Sequence, residues 1–417
     1  MKHLSYIAVV AALCSASCSS DEQAPESPDA GFTKPRIEVQ LNAEEKSAIA
    51  NTNEFGLRIF EKACEGAGEQ NVFMSPISSA INLAIMANGA GGNTRTEILS
   101  ALCPDVTPAS AGNITTAMSK LLTALPATDP TATMHMATSL WISSGTPVGK
   151  TFADMCADSY GADIYRFNPE SNSLAGDINS WCTSKTGGMI TSLAGDSEIS
   201  GSAVNLLNAV VFNGKWNHKF NTDNTSNATF HATDGTKYKV PMMRDIESYS
   251  LAKNDKASML TKSFGNHAYQ IGFLLPHESV SIGEAIGSVT GESWQQLLDS
   301  RKSYDVTLHV PRLKIDCEFD MTNYYKAIGI NEAMTPEADF SGISSGLFLG
   351  LSKQKSVFEM DESGAKAASV QVDGFWLTDP GPNFGEMTDF ILDRPFAFVI
   401  FETSTRAIVF AGKVERF

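Results

Sequence analysis

The sequence has little positive charge. Its 417 residues include 31 Lys and Arg against 47 Asp and Glu, which gives a formal net charge of −16 at neutral pH. Phosphate backbones repel a chain with this charge, so the composition excludes a nucleic-acid-binding protein. The 42% of hydrophobic residues can still bury a large core.

The sequence also lacks an N-terminal hydrophobic run long enough to span a membrane. Residues 4–13 are apolar and follow Lys2, a pattern that is too short for a bilayer and typical of a secretory signal. Cys18 follows the small residues 15–17, as a lipoprotein signal peptidase requires, whereas Cys14 follows a leucine. We therefore predict lipidation at Cys18; the alternative is an ordinary signal peptide cut nearby.

Residues 19–36 are rich in Ser, Asp, Glu and Pro and cannot bury enough apolar surface to fold. The predicted organisation is a signal peptide at 1–17, a lipidated cysteine with a flexible linker at 18–36, and one folded domain at 37–417. This organisation predicts an exported protein, held by lipid in a bacterial cell envelope, at the outer membrane or cell surface, or else extracellular.

Cysteines are few, and none are at metal-ligand spacing. The expected mature chain keeps an odd number of them: Cys64, Cys103, Cys156, Cys182 and Cys317. We expect buried free thiols, no metal site and no cofactor.

The hydrophobic pattern predicts a mixed α+β domain. Phe55, Ile59 and Ala63 lie at helical spacing, and Ser75 with Pro76 begins a second helix. Strand patterns dominate later, at residues 137–142, 204–212, 269–275, 306–310, 396–401 and 407–411. Helices early and strands late favour an α+β fold.

One motif suggests an enzyme. Residues 342–346 match the G-x-S-x-G pattern, in which Ser344 would be the nucleophile of a hydrolase. That pattern requires a strand before the serine and a helix after it. The neighbouring residues indicate instead a loop that leads into a strand, so we expect a chance match.

The most informative stretch is residues 358–370, where a strand-like acidic segment continues into Gly, Ala and Ser. Residues 371–389 then contain two Pro, three Gly and little apolar periodicity, which predicts an exposed loop. Strand patterns resume at residue 396. A loop that begins with small residues and lies between buried strands can itself become a strand.

Over nearly the whole folded part, the chain resembles the serpins. The motifs that carry this resemblance occur in family order: residues 71–78 (NVFMSPIS), 89–94 with Glu97 and Ile98, 178–181, 186–188, 207–209, 212–216 with Phe220, 240–243, 311–315 and 393–396. The resemblance implies helices packed on a large central sheet with smaller sheets, and an exposed reactive-centre loop at about 364–392.

The resemblance also implies covalent suicide inhibition of a serine or cysteine endopeptidase, and no enzyme activity. A protease cuts the loop, and the loop then inserts into the central sheet with the protease attached. The predicted hinge residues are Glu362, Gly364, Ala365, Ala367, Ala368 and Ser369. Small side chains at 365, 367 and 369 suit the face that enters a packed interior.

Two departures from the family pattern are visible. Gln371 and Asp373 follow on the inward face, and burial of an unpaired carboxylate would slow or stop insertion. The alternative function is therefore a non-inhibitory binding or decoy protein that is cleaved as a substrate. In the predicted sheet-opening region, Ser75, Asn208, Trp216 and Gln354, the glutamine replaces a histidine of many family members.

The scissile bond is predicted from loop length. Counting from the hinge, residues 364–378 span roughly 46 Å when extended, which gives the bond Thr378–Asp379. Counting back from Pro395 gives Phe384 instead. Phe375, Trp376 and Leu377 remain alternatives, because they suit a hydrophobic specificity pocket.

The loop also predicts the partner. Between Lys366 and Arg394 it contains no Lys or Arg, which indicates a chymotrypsin-like, subtilisin-like or papain-like protease and not a trypsin-like one. Residues 113–125, where some family members bind heparin, contain Lys120 as their one basic residue, so we expect no heparin site. We expect a monomer that reaches the membrane through its lipid only.

Overall fold

The computed structural model describes residues 35–104, 107–171, 173–199, 201–365 and 388–417. In these residues ten α-helices are present: α1 (Ala43–Ala67), α2 (Pro76–Gly89), α3 (Gly92–Leu102), α4 (Pro108–Ala124), α5 (Lys150–Tyr160), α6 (Leu174–Lys185), α7 (Asp196–Ile199), α8 (Ile282–Gly287), α9 (Gly291–Asp299) and α10 (Met321–Ala327). The predicted early helices are confirmed, although α8, α9 and α10 lie among the later strands.

The described strands form two sheets. Their bounds in chain order are β1 (Val72–Met74), β2 (Thr133–Ser143), β3 (Asp163–Phe167), β4 (Val204–Lys215), β5 (Ser226–His231), β6 (Lys237–Lys253), β7 (Ala257–Ser263), β8 (Tyr269–Pro276), β9 (Lys302–Pro311), β10 (Leu313–Asp320), β11 (Lys353–Asp361), β12 (Gly364–Ala365), β13 (Thr388–Ile391), β14 (Phe396–Glu402) and β15 (Ile408–Val414). The predicted α+β class is confirmed.

The smaller sheet has the order β10-β11-β12-β4-β2-β3, and the larger one has the order β1-β15-β14-β8-β7-β6-β9-β13, with β5 paired to β6. Between the layers lies a core of fully buried aromatic rings, among them Phe73, whose ring centroid is 4.9 Å from that of Phe358 in β11 and 5.1 Å from that of Phe410 in β15. These contacts tie the two sheets together at β1.

Helix α2 begins as the sequence predicts. Ser75 is its N-cap, and its hydroxyl accepts the backbone N–H of Ser78 while Pro76 occupies the first position. Twelve of its fourteen residues are buried, because the helix passes between the sheet and its neighbouring helices. The side chains at its start therefore face β4 and β11.

The predicted loop bounds are wrong at both ends. The loop was expected to begin near Gly364 and to run past Asp389, but Gly364 and Ala365 form β12, between β11 and β4. At the other end, Thr388–Ile391 forms β13, which pairs in parallel with β9. The intervening residues 366–387 lie outside the described residues.

Candidate functional site

The site is built around the hairpin that joins β11 to β12. Its turn consists of Glu362 and Ser363, and the Asp361 carboxylate accepts both the N–H of Ser363, at 2.8 Å, and its hydroxyl, at 2.5 Å. A local side-chain acceptor of this kind holds a tight turn without a longer loop. The hairpin thereby directs the chain back into the sheet, antiparallel to β11.

Glu362, a predicted hinge residue, is anchored by a charge pair. Its carboxylate accepts hydrogen bonds from two nitrogens of the Arg312 guanidinium, Nε at 2.9 Å and Nη2 at 2.7 Å, and from the hydroxyl of Thr225 at 2.5 Å. Burial opposes the charge on Glu362, but the contacts with Arg312 and Thr225 outweigh it and hold the pKa of this carboxyl below its ordinary value. The hairpin is thus attached to the residue that precedes β10.

Trp216 and Phe220 hold the hairpin from the side of β4. The Trp216 indole N–H donates to the Asp361 carbonyl at 2.9 Å, and its backbone N–H donates to the Ser363 carbonyl at 2.9 Å. The Phe220 N–H donates to the Glu362 carbonyl at 3.1 Å. Trp216 is fully buried and stacks on Phe264 at 4.4 Å. The sequence placed Trp216 in the sheet-opening region, and the structure places it against the hinge.

Gly364 occupies a position that no other residue fits. Its φ is +156°, and a Cβ there would lie 2.2 Å from the Gly214 carbonyl oxygen and 2.7 Å from the Lys215 Cα. The next residue, Ala365, is buried and pairs with Gly214 on one side and Met360 on the other. The other predicted hinge residues, Ala367, Ala368 and Ser369, lie outside the described residues.

The six-stranded sheet that contains β12 is the central sheet, and its described strands leave a gap between β4 and β11 beyond β12. Since β12 is antiparallel to both of its neighbours, β4 and β11 run parallel to each other. In the described part of the chain, each of them pairs with β12, but they do not pair with each other. The seven residues 353–359 of β11 have no described partner on this side, a length of roughly 23 Å at 3.3 Å per residue. The first five residues of β4 are half-buried. The gap therefore exposes two rows of backbone donors and acceptors that a strand could pair with.

The remaining predicted sheet-opening residues form two adjacent networks. Gln354 accepts the Ser75 N–H and donates to the Ser75 carbonyl, both at 2.9 Å, and so clamps the start of α2 to β11. Asn208 on β4 instead accepts the Ser78 hydroxyl at 2.8 Å and donates to Thr138 at 3.0 Å. Gln354 and Asn208 thus face each other across the gap, each joined to α2.

Several predicted residues cannot be placed. The scissile-bond candidates Thr378, Asp379, Leu377, Trp376, Phe375 and Phe384 lie outside the described residues, as do Asp373 and the lipidation residue Cys18. Conversely, the sequence reasoning missed Arg312 and Thr225 as partners of the hinge. Arg312 lies in the motif 311–315, but nothing in its spacing links it to a glutamate 50 residues away.

The motif around Ser344 lies in a loop. Ser344 is buried, its N–H donates to the Phe340 carbonyl at 2.9 Å, and β11 begins only at Lys353. The strand–serine–helix arrangement of a hydrolase is thus missing here, as expected. The strand that the sequence predicts near residues 347–349 begins at Lys353, four residues after Leu349.

The five cysteines of the described residues are free, as predicted, and burial raises the pKa of the Cys182 thiol to about 11. Lys120, the basic residue of α4, pairs with Glu45 at 2.8 Å. In the described ranges, no helix has both the length and the apolar character needed to cross a bilayer.

Comparison with known proteins identifies the family. Residues 50–416 match the model of the family described as Serpin (serine protease inhibitor). Alpha-1-antitrypsin 1-4 of Mus musculus is 28% identical over 373 residues, 87% of this chain and 87% of that protein. Alpha-1-antiproteinase 2 of Equus caballus is 27% identical over 381 residues, 90% of this chain and 88% of that protein.

Solved structures give the same result. The native state of tengpin, a thermophilic serpin, superposes with a TM-score of 0.81 at 26% identity and covers 92% of this chain and 97% of its own. Human thyroxine-binding globulin, complexed with its hormone, superposes with a TM-score of 0.80 at 23% identity, covering 90% and 99%, which supports the fold alone. The chain therefore belongs to the serpin family and has the serpin fold.

Proposed function

We propose that this protein is a covalent suicide inhibitor of a serine or cysteine endopeptidase, which it traps by insertion of its cleaved loop into the central sheet. The observation that carries the proposal is β12, which is paired between β4 and β11 at one end of a gap that no other described strand fills. After cleavage, the chain beyond Ala365 could extend this two-residue strand, with both neighbours supplying hydrogen-bond partners.

The register of β12 supports this proposal. Continued in the same antiparallel register, residue 367 would lie between Phe358 and Phe212, and residue 369 between Ser356 and Val210. The side chains of these neighbours are buried, so small residues are required opposite them, and the sequence provides Ala367 and Ser369.

The same register bears differently on the two polar residues of the first departure, Gln371 and Asp373. Gln371 would come between Gln354 and Asn208, whose amides can pair with a third amide. Asp373 would come between Ser352 and the half-buried Leu206, neither of which can pair with a carboxylate by charge. The decoy alternative, a serpin-fold protein that is cleaved and released, therefore rests on Asp373 and on the length of the loop.

The loop composition favours a protease that cuts after hydrophobic or small residues, at Thr378–Asp379 or within residues 375–384. The names of the relatives, antitrypsin and antiproteinase, support protease inhibition in general, and neither they nor the fold favours a catalytic role for this chain.

The test is a denaturing gel of the protein mixed with chymotrypsin-like, papain-like and trypsin-like proteases. We expect a band at the summed mass with a chymotrypsin-like or papain-like enzyme and none with trypsin, because an acyl-enzyme trapped by insertion survives denaturation. Asp373→Ala should increase the proportion of complex over clipped protein, since it removes the charge that loop insertion would bury.

Clipped protein alone, in both the parent and Asp373→Ala, would contradict inhibition and establish the decoy function. Ser344→Ala is the matched control for the enzyme alternative: it should leave complex formation unchanged. Ester hydrolysis that Ser344→Ala abolished would instead identify a hydrolase. Sequencing the N-terminus of the released fragment would fix the scissile bond.

We also propose that the mature protein is exported and anchored by lipid at Cys18. In a bacterial host, we expect the chain to partition into the detergent phase and to move to the aqueous phase in the variant Cys18→Ser, because several acyl chains on one residue give stable membrane attachment. The variant Cys14→Ser is the matched control and should stay in the detergent phase. Equal partition of the Cys18 variant and the parent would refute the anchor.

A further inference from the structure

A buried lysine lies directly behind the hinge. Lys262, at the end of β7, has a side chain that is 3% exposed, and its ammonium lies 3.1 Å from an Asp245 carboxylate oxygen and 3.8 Å from one of Glu247. It also donates to the Tyr249 hydroxyl at 3.1 Å, and that hydroxyl donates to Asp245 at 2.7 Å. A buried ammonium is costly without such partners, so this position is specified by charge and not by packing.

The same ammonium lies against aromatic rings that hold the hinge. It is 4.7 Å from the ring centroid of Phe220 and 5.7 Å from that of Trp216, within the range of cation–π attraction. These two residues supply the three N–H groups that bind the carbonyls of the β11–β12 hairpin. In the described part of the chain, Lys262 is therefore linked to the hinge through Trp216 and Phe220.

Of the groups around Lys262, His218 is the most exposed to solvent. His218 lies between Trp216 and Phe220 in the chain, its side chain is 51% exposed, and its Nδ1 is 3.3 Å from Glu247. The charged groups that face it are Asp245 and Glu247 on β6 and Lys262 on β7. With neutral His218, two carboxylates face one ammonium; with protonated His218, the charges balance.

We propose that Lys262, Asp245, Glu247, Tyr249 and His218, the Lys262 cluster, position the Trp216–Phe220 segment against the hinge, and that protonation of His218 tightens this hold. The segment is short and lies between β4 and β5. The positions of its rings therefore depend mainly on the side chains that they pack against. A tighter segment keeps β12 paired in the sheet. The consequence for loop insertion rests on the proposed function, whereas the positioning itself does not.

The sign of the pH effect follows from the contact with Glu247, which raises the pKa of His218 above its ordinary value. A group with a raised pKa contributes stability that is fully present below its unfolded value, near 6.5, and that is lost as the pH rises through the folded value. The hinge should therefore be held more firmly at about pH 6 than at about pH 8.

Hydrogen exchange on the intact protein, without protease, tests this inference. The reporters are the backbone amides of Trp216 and Phe220, whose acceptors are hinge carbonyls, with rates corrected for intrinsic pH dependence. We expect their protection to fall severalfold from pH 6 to pH 8, because the contribution of a partly exposed ion pair is then lost. In the variant His218→Gln, protection should be the same at both pH values.

His277→Gln is the matched control, because His277 contacts Ser258 at the far end of β7 and should leave the pH dependence intact. Lys262→Met should lower the protection of these amides at both pH values. Lys262→Arg, which keeps the charge, should retain most of the protection of the parent. If Lys262→Met does not fold, the double variant Lys262→Met/Asp245→Asn removes both buried charges and carries the same expectation.

Two results would overturn the inference. One is amide protection that still depends on pH in His218→Gln, and the other is protection in Lys262→Met equal to that of the parent. The outcome is separable from the proposed function: the exchange result can hold while no protease complex forms. If complexes do form, the fraction of complex over clipped protein should decline toward pH 8 in the parent and stay constant in His218→Gln.

Discussion

Replacing Gly364 by valine should abolish protease trapping while the rest of the fold stays intact. The new side chain would overlap the Gly214 carbonyl and the Lys215 Cα, both of which are backbone atoms in the middle of a sheet and cannot turn aside. The strain at residue 364 would cost about 3 kcal/mol. Because this cost exceeds the stabilisation from pairing two residues, β12 would leave the sheet. The population of the paired hinge would then fall about 100-fold.

Two measurements check this expectation. The amide of Ala365 should lose protection from hydrogen exchange, and the summed-mass band should give way to clipped protein. Gly350→Val is the matched control, because a Cβ at Gly350 meets no atom within 4 Å and Gly350 also lies in a loop before a strand of this sheet. Unchanged trapping by Gly364→Val would mean that insertion does not begin from β12.

The second large effect is expected from Arg312→Met. This change leaves the Glu362 carboxylate with Thr225 alone, in a site where its side chain is 8% exposed. Loss of one partner of a buried pair is far more costly than loss of an exposed pair, and because Arg312 is itself half-exposed we expect about 3 kcal/mol, the low end of the usual range. The urea concentration at the midpoint of unfolding should fall accordingly.

Lys314→Met provides the control in the same pair of strands. Lys314 pairs with Glu359 at 2.6 Å, but its side chain is 77% exposed, so its removal should change the free energy of unfolding by less than about 1 kcal/mol. A double variant with Glu362→Gln should recover part of the loss from Arg312→Met, since no charge is then left unpaired. Equal effects of Arg312→Met and Lys314→Met would refute the anchoring role.

Acid should weaken the contact between Glu362 and Arg312. Since the pKa of Glu362 is lowered in the folded protein, its contribution is present above the unfolded value and is lost as the pH falls through the folded one. The stability difference between the parent and Glu362→Gln should therefore be constant at neutral pH and shrink below about pH 4.5.

The local elements could be predicted from the sequence because their signals are local. The Ser75 cap, the first-turn Pro76 and the helical spacing of Phe55, Ile59 and Ala63 each act within a few residues, and the structure places α1 and α2 accordingly. The motifs in register likewise indicated the family, and through it the central sheet.

The site could be predicted only in part, because its contacts join distant segments. The sequence predicts Gly364 as a hinge residue, but its role here depends on how closely it approaches Gly214, 150 residues earlier in the chain. Arg312, Thr225 and Lys262 carry no sequence pattern that points to the hinge. Their relation to it arises from the pairing of β10 with β11 and of β6 with β7.

The gap between β4 and β11 has a consequence for the protein in concentrated solution. Its unpaired backbone can be used by any extended segment, whether it belongs to the same polypeptide or to a neighbouring molecule. The protein's own segment, being covalently linked nearby, competes at an effective concentration in the millimolar range, far above that of other copies in dilute solution. A higher protein concentration narrows that advantage, so neighbouring molecules would pair with one another at this same sheet.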